Sequence, residues 1–196
     1  MQGANRRFIA GLGNPGDDYR QTRHNAGFMA IDHLAGRYGV SLSKRKFNVQ
    51  FGLGRIEGIS VVLAKPLAYM NRSGTPTRRL ADYHNAGIGD LIVVHDDIDI
   101  EFGRIKIKEK GGTGGHKGIK SVMDAYGDGG FIRLRIGVGR PESSQDVSNF
   151  VLERFKATER NVWDQIIAGA SEAVVSLLRL GVHESMNRFN GKWIFD

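Results

Sequence analysis

A histidine beside a carboxylate can take a proton from water, the carboxylate fixing the imidazole tautomer and stabilising the imidazolium that forms. The chain places such residues at loops next to apolar runs: Arg23-His24-Asn25, and His95-Asp96-Asp97 directly after Leu91-Ile92-Val93-Val94. Asn14 and Asn71 stand at two further loops, where side-chain amides could donate to a developing oxyanion. Together they point to general-base hydrolysis, although each residue alone would read as a cap, a turn or a solvated side chain. Other chemistries are poorly served. Gly11-Leu12-Gly13-Asn14-Pro15-Gly16 has the GxGxxG spacing of a dinucleotide loop, but Asp17, Asp18 and Tyr19 prolong a polar loop where a helix should open. The position for a ribose-binding acid falls near Arg37. Gly111 to Gly118 lacks the ending of a P-loop, and the chain has no GxSxG elbow and no HExxH pair. With no cysteine, thiolate nucleophiles and cysteine-ligated metals are excluded.

The elements that must hold these residues can be read from periodicity and punctuation. Arg7-Phe8-Ile9-Ala10 is predicted as a strand stopped by the glycine-rich loop. Ala26, Met29, Ala30, Leu34 and Tyr38 recur at helical spacing, with Asn25 at the N-cap position and Gly39 as the stop. Val49, Phe51 and Leu53 alternate, Glu57-Gly58 supplies a turn, and Ile59 to Ala64 reads as the buried return strand of a hairpin. A helix is expected from Ser73 to about Asn85, then a buried strand from Leu91. In Arg104-Ile105-Lys106-Ile107-Lys108 the period of two sets cations opposite the isoleucines; Arg133 and Arg135 likewise oppose Ile132, Leu134, Ile136 and Val138. A short helix through Val122 and Met123 and a long one from Val162 to about Gly181 complete the pattern. Strands interleaved with helices, one hairpin among them, predict a single α/β domain over 1–196, a mixed twisted β-sheet covered by helices.

At 196 residues the chain is large enough to bury its own core, and 40% hydrophobic with 25% charged residues is the composition of an ordinary globule. No uninterrupted apolar run approaches the ~18 residues of a membrane span, and the start MQGANRRF has no apolar stretch of a signal peptide, so a cytoplasmic location is expected. Lys+Arg 28 against Asp+Glu 21 gives a formal net charge of +7, which suits either attraction to a polyanion such as nucleic acid or a simple solubility charge.

Several stretches in register resemble one family. Gly11 to Gly16 followed by Tyr19 and Thr22-Arg23-His24-Asn25-Ala26-Gly27 is similar to the N-terminal signature of bacterial-type peptidyl-tRNA hydrolases. Lys65-Pro66 with Tyr69-Met70-Asn71-Arg72-Ser73-Gly74 resembles the second motif, and His95 to Asp99, Gly103 to Lys106, Gly114-Gly115-His116 and Arg133 to Arg140 resemble the rest in order. The resemblance runs from about Phe8 to Asn187. It implies an esterase that cuts the bond between a peptide and the terminal ribose of tRNA, with His24 as base and Asp96 as its carboxylate partner. It implies Asn14 and Asn71 at the peptide and reacting carbonyl, Tyr19, Tyr69 and Met70 along the peptide channel, and Lys106, Lys108, Arg133 and Arg135 on the tRNA. The acceptor stem and 3′ end of peptidyl-tRNA would be the partner, with no metal or organic cofactor, no membrane and no obligate protein partner, and the chain a monomer.

One position departs from the family pattern. Gly115-His116-Lys117-Gly118 stands where the family has Gly-His-Asn-Gly, so Lys117 replaces an amide expected to hold water and the substrate. An ammonium donates but cannot accept. That leaves a second expectation beside the enzyme: a weakly active or inactive paralogue that keeps the fold to bind RNA.

Overall fold

The computed structural model describes residues 6–141 and 146–194. Its strands are β1 (Arg7–Gly11), β2 (Lys44–Lys46), β3 (Val49–Ile56), β4 (Ile59–Pro66), β5 (Leu91–Asp97), β6 (Ile105–Lys108) and β7 (Ile132–Gly137). They form one seven-stranded sheet in the order β2-β3-β4-β1-β5-β7-β6. β1 runs parallel to β4 and β5, and β5 parallel to β7, while β2–β3, β3–β4 and β6–β7 are antiparallel. The sheet is therefore mixed, as the alternation of strands and helices predicts. The carboxyl ends of β1, β4, β5 and β7 all reach the same edge, where open α/β sheets bind ligands.

Period-two alternation divides the core into two layers. Ile9, Leu63, Ile92, Val94 and Leu134 face α1 (Ala26–Tyr38) and α5 (Arg160–Phe189); Phe8, Ala10, Val62 and Val93 face α2 (Gly74–Tyr83) and α3 (Lys117–Tyr126). α1 ends at Gly39 in the left-handed region, as its sequence predicts. The β3–β4 turn is Glu57-Gly58, both at positive φ, the backbone a tight two-residue hairpin requires. By length and hydropathy α5 could cross a membrane, but Trp163, Ile166, Ala170, Val174 and Leu177 are buried against the sheet and α1. It is also not one helix: Gly181, at φ 78°, breaks it, so the expected stop at this glycine is followed by a second helical segment.

Two elements fall outside the sequence expectations. β2 pairs with β3 across Phe47-Asn48, non-glycine residues held at positive φ. α4 (Val147–Leu152) is a short helix capped by Asp146, whose carboxylate accepts from the Ser148 N–H.

Candidate active site

Three loops meet at the sheet edge because their backbones are tied together. A Cβ on Gly27 would lie 2.3 Å from both the Leu12 nitrogen and the Val94 oxygen, so only glycine lets the first turn of α1 press onto the ends of β1 and β5. That contact sets the preceding 3-10 turn, Arg23–Asn25, over the mouth of the sheet. Asn25 occupies the expected N-cap position but makes no capping bond. Its side chain accepts from Asn14 N at 2.8 Å and donates to Asn14 O at 3.0 Å. Asn14 in turn accepts the Met70 N–H through Oδ1 at 2.8 Å, which fixes the loop after β4 and leaves its Nδ2 as a donor at the cleft.

Asp96, at 2% exposure, sits between two imidazoles at the end of β5. His24 Nδ1 lies 2.9 Å from Oδ2 and 3.0 Å from Oδ1, and His116 Nε2 lies 3.0 Å from Oδ1. Burial alone would push this carboxyl up; the two imidazoles and their hydrogen bonds outweigh it and hold the group well below the usual carboxylate range. An ionised Asp96 only accepts, so both histidines present it an N–H. His116 has no other choice. Its Nδ1 accepts from the Gly118 and Ile119 N–H groups at 3.1 and 3.2 Å, capping α3, so the ring proton must sit on Nε2. For His24 the same logic puts the proton on Nδ1 and leaves Nε2 as an acceptor with no partner among the described residues.

His24, Asp96 and His116 are also spaced closely enough to hold a metal ion, their nearest ligand atoms lying within 4.8 Å of one another. The α3 cap opposes this: ligation through His116 Nε2 would displace the proton onto Nδ1, facing two backbone donors, or strip the ring to imidazolate. The donor set fits a proton relay better than a metal.

The cleft in front of the histidines has a volume of about 500 Å³. Asn14, His24, Tyr69, Met70, Asn71, Asp96 and Lys117 line it, so seven of the residues singled out in the sequence converge there. Met70 is buried and Tyr69 is 58% exposed at the rim. Tyr19 differs: it lies in a 3-10 turn, its carbonyl accepts from Thr22, and it is not part of the cleft wall.

The four expected tRNA-facing cations do share one face, with Lys106 opposite Arg135 and Lys108 opposite Arg133. Lys106 and Lys108 are exposed. Arg135 is partly buried and donates through Nε to Asp97 at 2.7 Å. Arg133 differs from the two lysines: it is 2% exposed, and its guanidinium donates to the carbonyls of Gly111, Gly112 and Gly129. Strand parity gave its face correctly, but the glycine loops fold over that face and take up donors on both of its terminal nitrogens.

Four features of the site go beyond the sequence reading, which placed His95 and Arg23 only among the candidate loop residues. His116 appeared there only as part of a motif, with no role. His95 is buried and donates through Nδ1 to the Asp96 carbonyl at 2.7 Å, while its Nε2 has no partner among the described residues; burial and then His116 push its basicity far down, keeping it neutral. Val147, Val151 and Leu152 of α4 form an apolar wall of the cleft. Arg23, beside His24, is 4% exposed, stacked over Phe150 and Phe155 and paired with Glu159 at 3.2 Å, so it bolts the His24 turn to that wall. Only an arginine flanked in the fold by later aromatics would have given this away, and no spacing in the sequence encodes that.

A histidine–carboxylate relay opening into a cleft at the carboxyl edge of an α/β sheet defines a hydrolase-type site. The peptidyl-tRNA hydrolase family profile matches residues 8–194. The peptidyl-tRNA hydrolase of Geobacter metallireducens is 44% identical over 186 residues, covering 95% of each chain, and that of Mycobacterium avium is 47% identical over 182 residues, covering 92% of this chain and 95% of the other. The crystal structure of peptidyl-tRNA hydrolase from Acinetobacter baumannii superposes with a TM-score of 0.90 at 37% identity, covering 99% of both chains. The chain belongs to the peptidyl-tRNA hydrolase family.

Proposed function

We propose that the chain is a peptidyl-tRNA hydrolase, cutting the ester between a peptide, or an N-blocked aminoacyl group, and the 3′-terminal ribose of tRNA, and so recycling tRNA from stalled or abandoned translation. The observation that carries the reading is the 2.9 Å bond from His24 Nδ1 to buried Asp96, which leaves Nε2 free at the cleft. Water bound to Nε2 attacks the ester carbon while its proton passes to His24. Asp96 stabilises the imidazolium, and the proton then goes to the departing ribose oxygen. The amides of Asn14 and Asn71 hold the peptide and the carbonyl oxygen as it becomes an oxyanion, Tyr69 and Met70 line the peptide channel, and Lys117 stands at the substrate end. Tyr19, outside the cleft wall, takes part only where a longer peptide reaches it. Lys106, Lys108 and Arg135 meet backbone phosphates of the acceptor stem and 3′ end, and Arg133 acts indirectly by holding the Gly111 to Gly112 loop.

The chain works as a monomer, a single domain spanning 1–196, in the cytoplasm, without an obligate protein partner. The alternative of a weakly active or inactive RNA-binding paralogue has no support: the His24–Asp96 pair is intact and the relatives compared are named hydrolases. Single-turnover cleavage of N-acetyl-aminoacyl-tRNA tests the assignment. His24→Ala is expected to lose about 10²–10⁴-fold in rate with unchanged melting. Near-normal turnover in that variant would remove His24 from the mechanism.

A further inference from the structure

Beyond Asn71 and Lys117 the cleft continues into an open groove of about 580 Å³ between α2 and α3, lined further by Arg72, Thr75, Lys120 and Asp124. Its floor is rigid. A Cβ on Gly74 would meet the Ser121 carbonyl oxygen at 1.9 Å, and Gly74 N–H donates to Ser121 Oγ at 2.9 Å, so the two helices touch backbone to backbone. Lys120 is taken up by Asp124 at 2.6 Å. The Arg72 and Lys117 side chains are exposed and, among the described residues, hold no hydrogen bond or ion pair. The groove thus presents two uncompensated cations beside one internally neutralised pair, on a surface that needs no reorganisation.

The cleft has a second continuation, past Asp97 and Gly114, into a recess of about 130 Å³ walled by Lys108, Arg133 and Arg135. An ester that joins RNA to peptide must send its two arms out of the site in different directions. With the RNA on the β6–β7 side, the peptide is left the α2–α3 groove.

We propose that this groove receives the peptide arm of the substrate and that Arg72 and Lys117 favour an acidic side chain next to the esterified residue. The inference rests on the hydrolase reading above and adds a substrate preference to it. An asparagine at position 117 would supply no charge there, so the preference depends on the Lys117 ammonium as well as on Arg72.

The test uses two N-acetyl-dipeptidyl-tRNAs with the same tRNA and the same esterified residue, differing only in Glu or Gln at the preceding position. The Glu substrate is expected to show a kcat/KM about two- to fivefold higher, the range of one or two exposed ion pairs. Raising the salt should bring the ratio towards one. Arg72→Gln should do the same at low salt while leaving cleavage of the Gln substrate unchanged. A wild-type ratio of one overturns the proposal, as does a ratio that survives both salt and Arg72→Gln. If Arg72→Gln instead weakens binding of deacylated tRNA and flattens its salt slope by about 0.7–0.9, the cation meets a phosphate and the groove belongs to the RNA. Failure to cleave either substrate is a separate result, which overturns the hydrolase reading and this proposal with it.

Discussion

Lys117 concentrates the chemistry that distinguishes this site. It opens α3 immediately after His116, exposed at the junction of the cleft and the α2–α3 groove, where an asparagine could both accept and donate. On a substrate without an acidic residue, Lys117→Asn is expected to raise turnover about two- to tenfold, the equivalent of one restored hydrogen bond of ~0.5–1.5 kcal/mol. Kinetics of the Asn and Ala variants side by side decide it: a slower Ala variant that Asn does not rescue means the ammonium itself is needed. Asp96→Asn should be far more damaging. An amide that keeps its oxygen at the Oδ1 position can still accept from both rings, but its NH₂ then stands 2.9 Å from His24 Nδ1 and opposes the tautomer that ring needs. The expected result is a large loss in kcat with tRNA affinity kept, and equal activity of the Asn variant would show that the relay is unnecessary. His24 and Asp96 were legible as candidates by residue type alongside His95 and Asp97, and as a pair only through the family resemblance. His116 was not, since its role depends on which ring nitrogen caps α3, a matter of helix geometry that residue type does not carry.

At the scale of elements, the basic edge of the sheet makes a differential prediction. Removing exposed Lys106 or Lys108 should flatten the slope of log K against log salt for tRNA binding to a His24→Ala variant by about 0.7–0.9 each. Arg133→Met should leave that slope nearly unchanged, because its donors already satisfy three loop carbonyls, and should instead lower stability. A slope that falls with Arg133 and not with the lysines would reverse this division. Strands with strict alternation or continuous apolar runs, such as β3, β4 and β5, could be read directly, as could α1 with its glycine stop. β2 could not: Lys44-Arg45-Lys46 has no apolar period and its turn places Phe47 at positive φ, a conformation that phenylalanine rarely signals. α4 escaped for a related reason, being six residues long with a single buried side chain.

For the molecule as a whole, buried histidine sets an acid limit on stability. His95 is held neutral in the fold, so below its ordinary value near ~6.5 the unfolded chain binds a proton that the native state refuses. Stability is full above that pH and is lost as the pH falls; Asp96, still ionised in the fold, adds a further loss once the unfolded carboxylate protonates below about 3.9. Melting followed from about pH 7.5 to about pH 5 should decline in the wild type and more gently in His95→Asn. His84, lowered by burial and by Arg6 and Lys46, keeps part of the slope, and an identical decline in the variant would exonerate His95. The order of the chain has a consequence during synthesis. The sheet is complete at Gly137, yet the helix that covers Ile92 and Leu134 ends only at Phe189. At ~5–20 residues per second the ribosome needs roughly 3–10 s to deliver those last fifty or so residues. Through that interval the nascent sheet has only α1 over one apolar face, so a translational pause after β7 holds open a surface suited to chaperones, and the last helix to emerge decides when the newborn protein lets go of them.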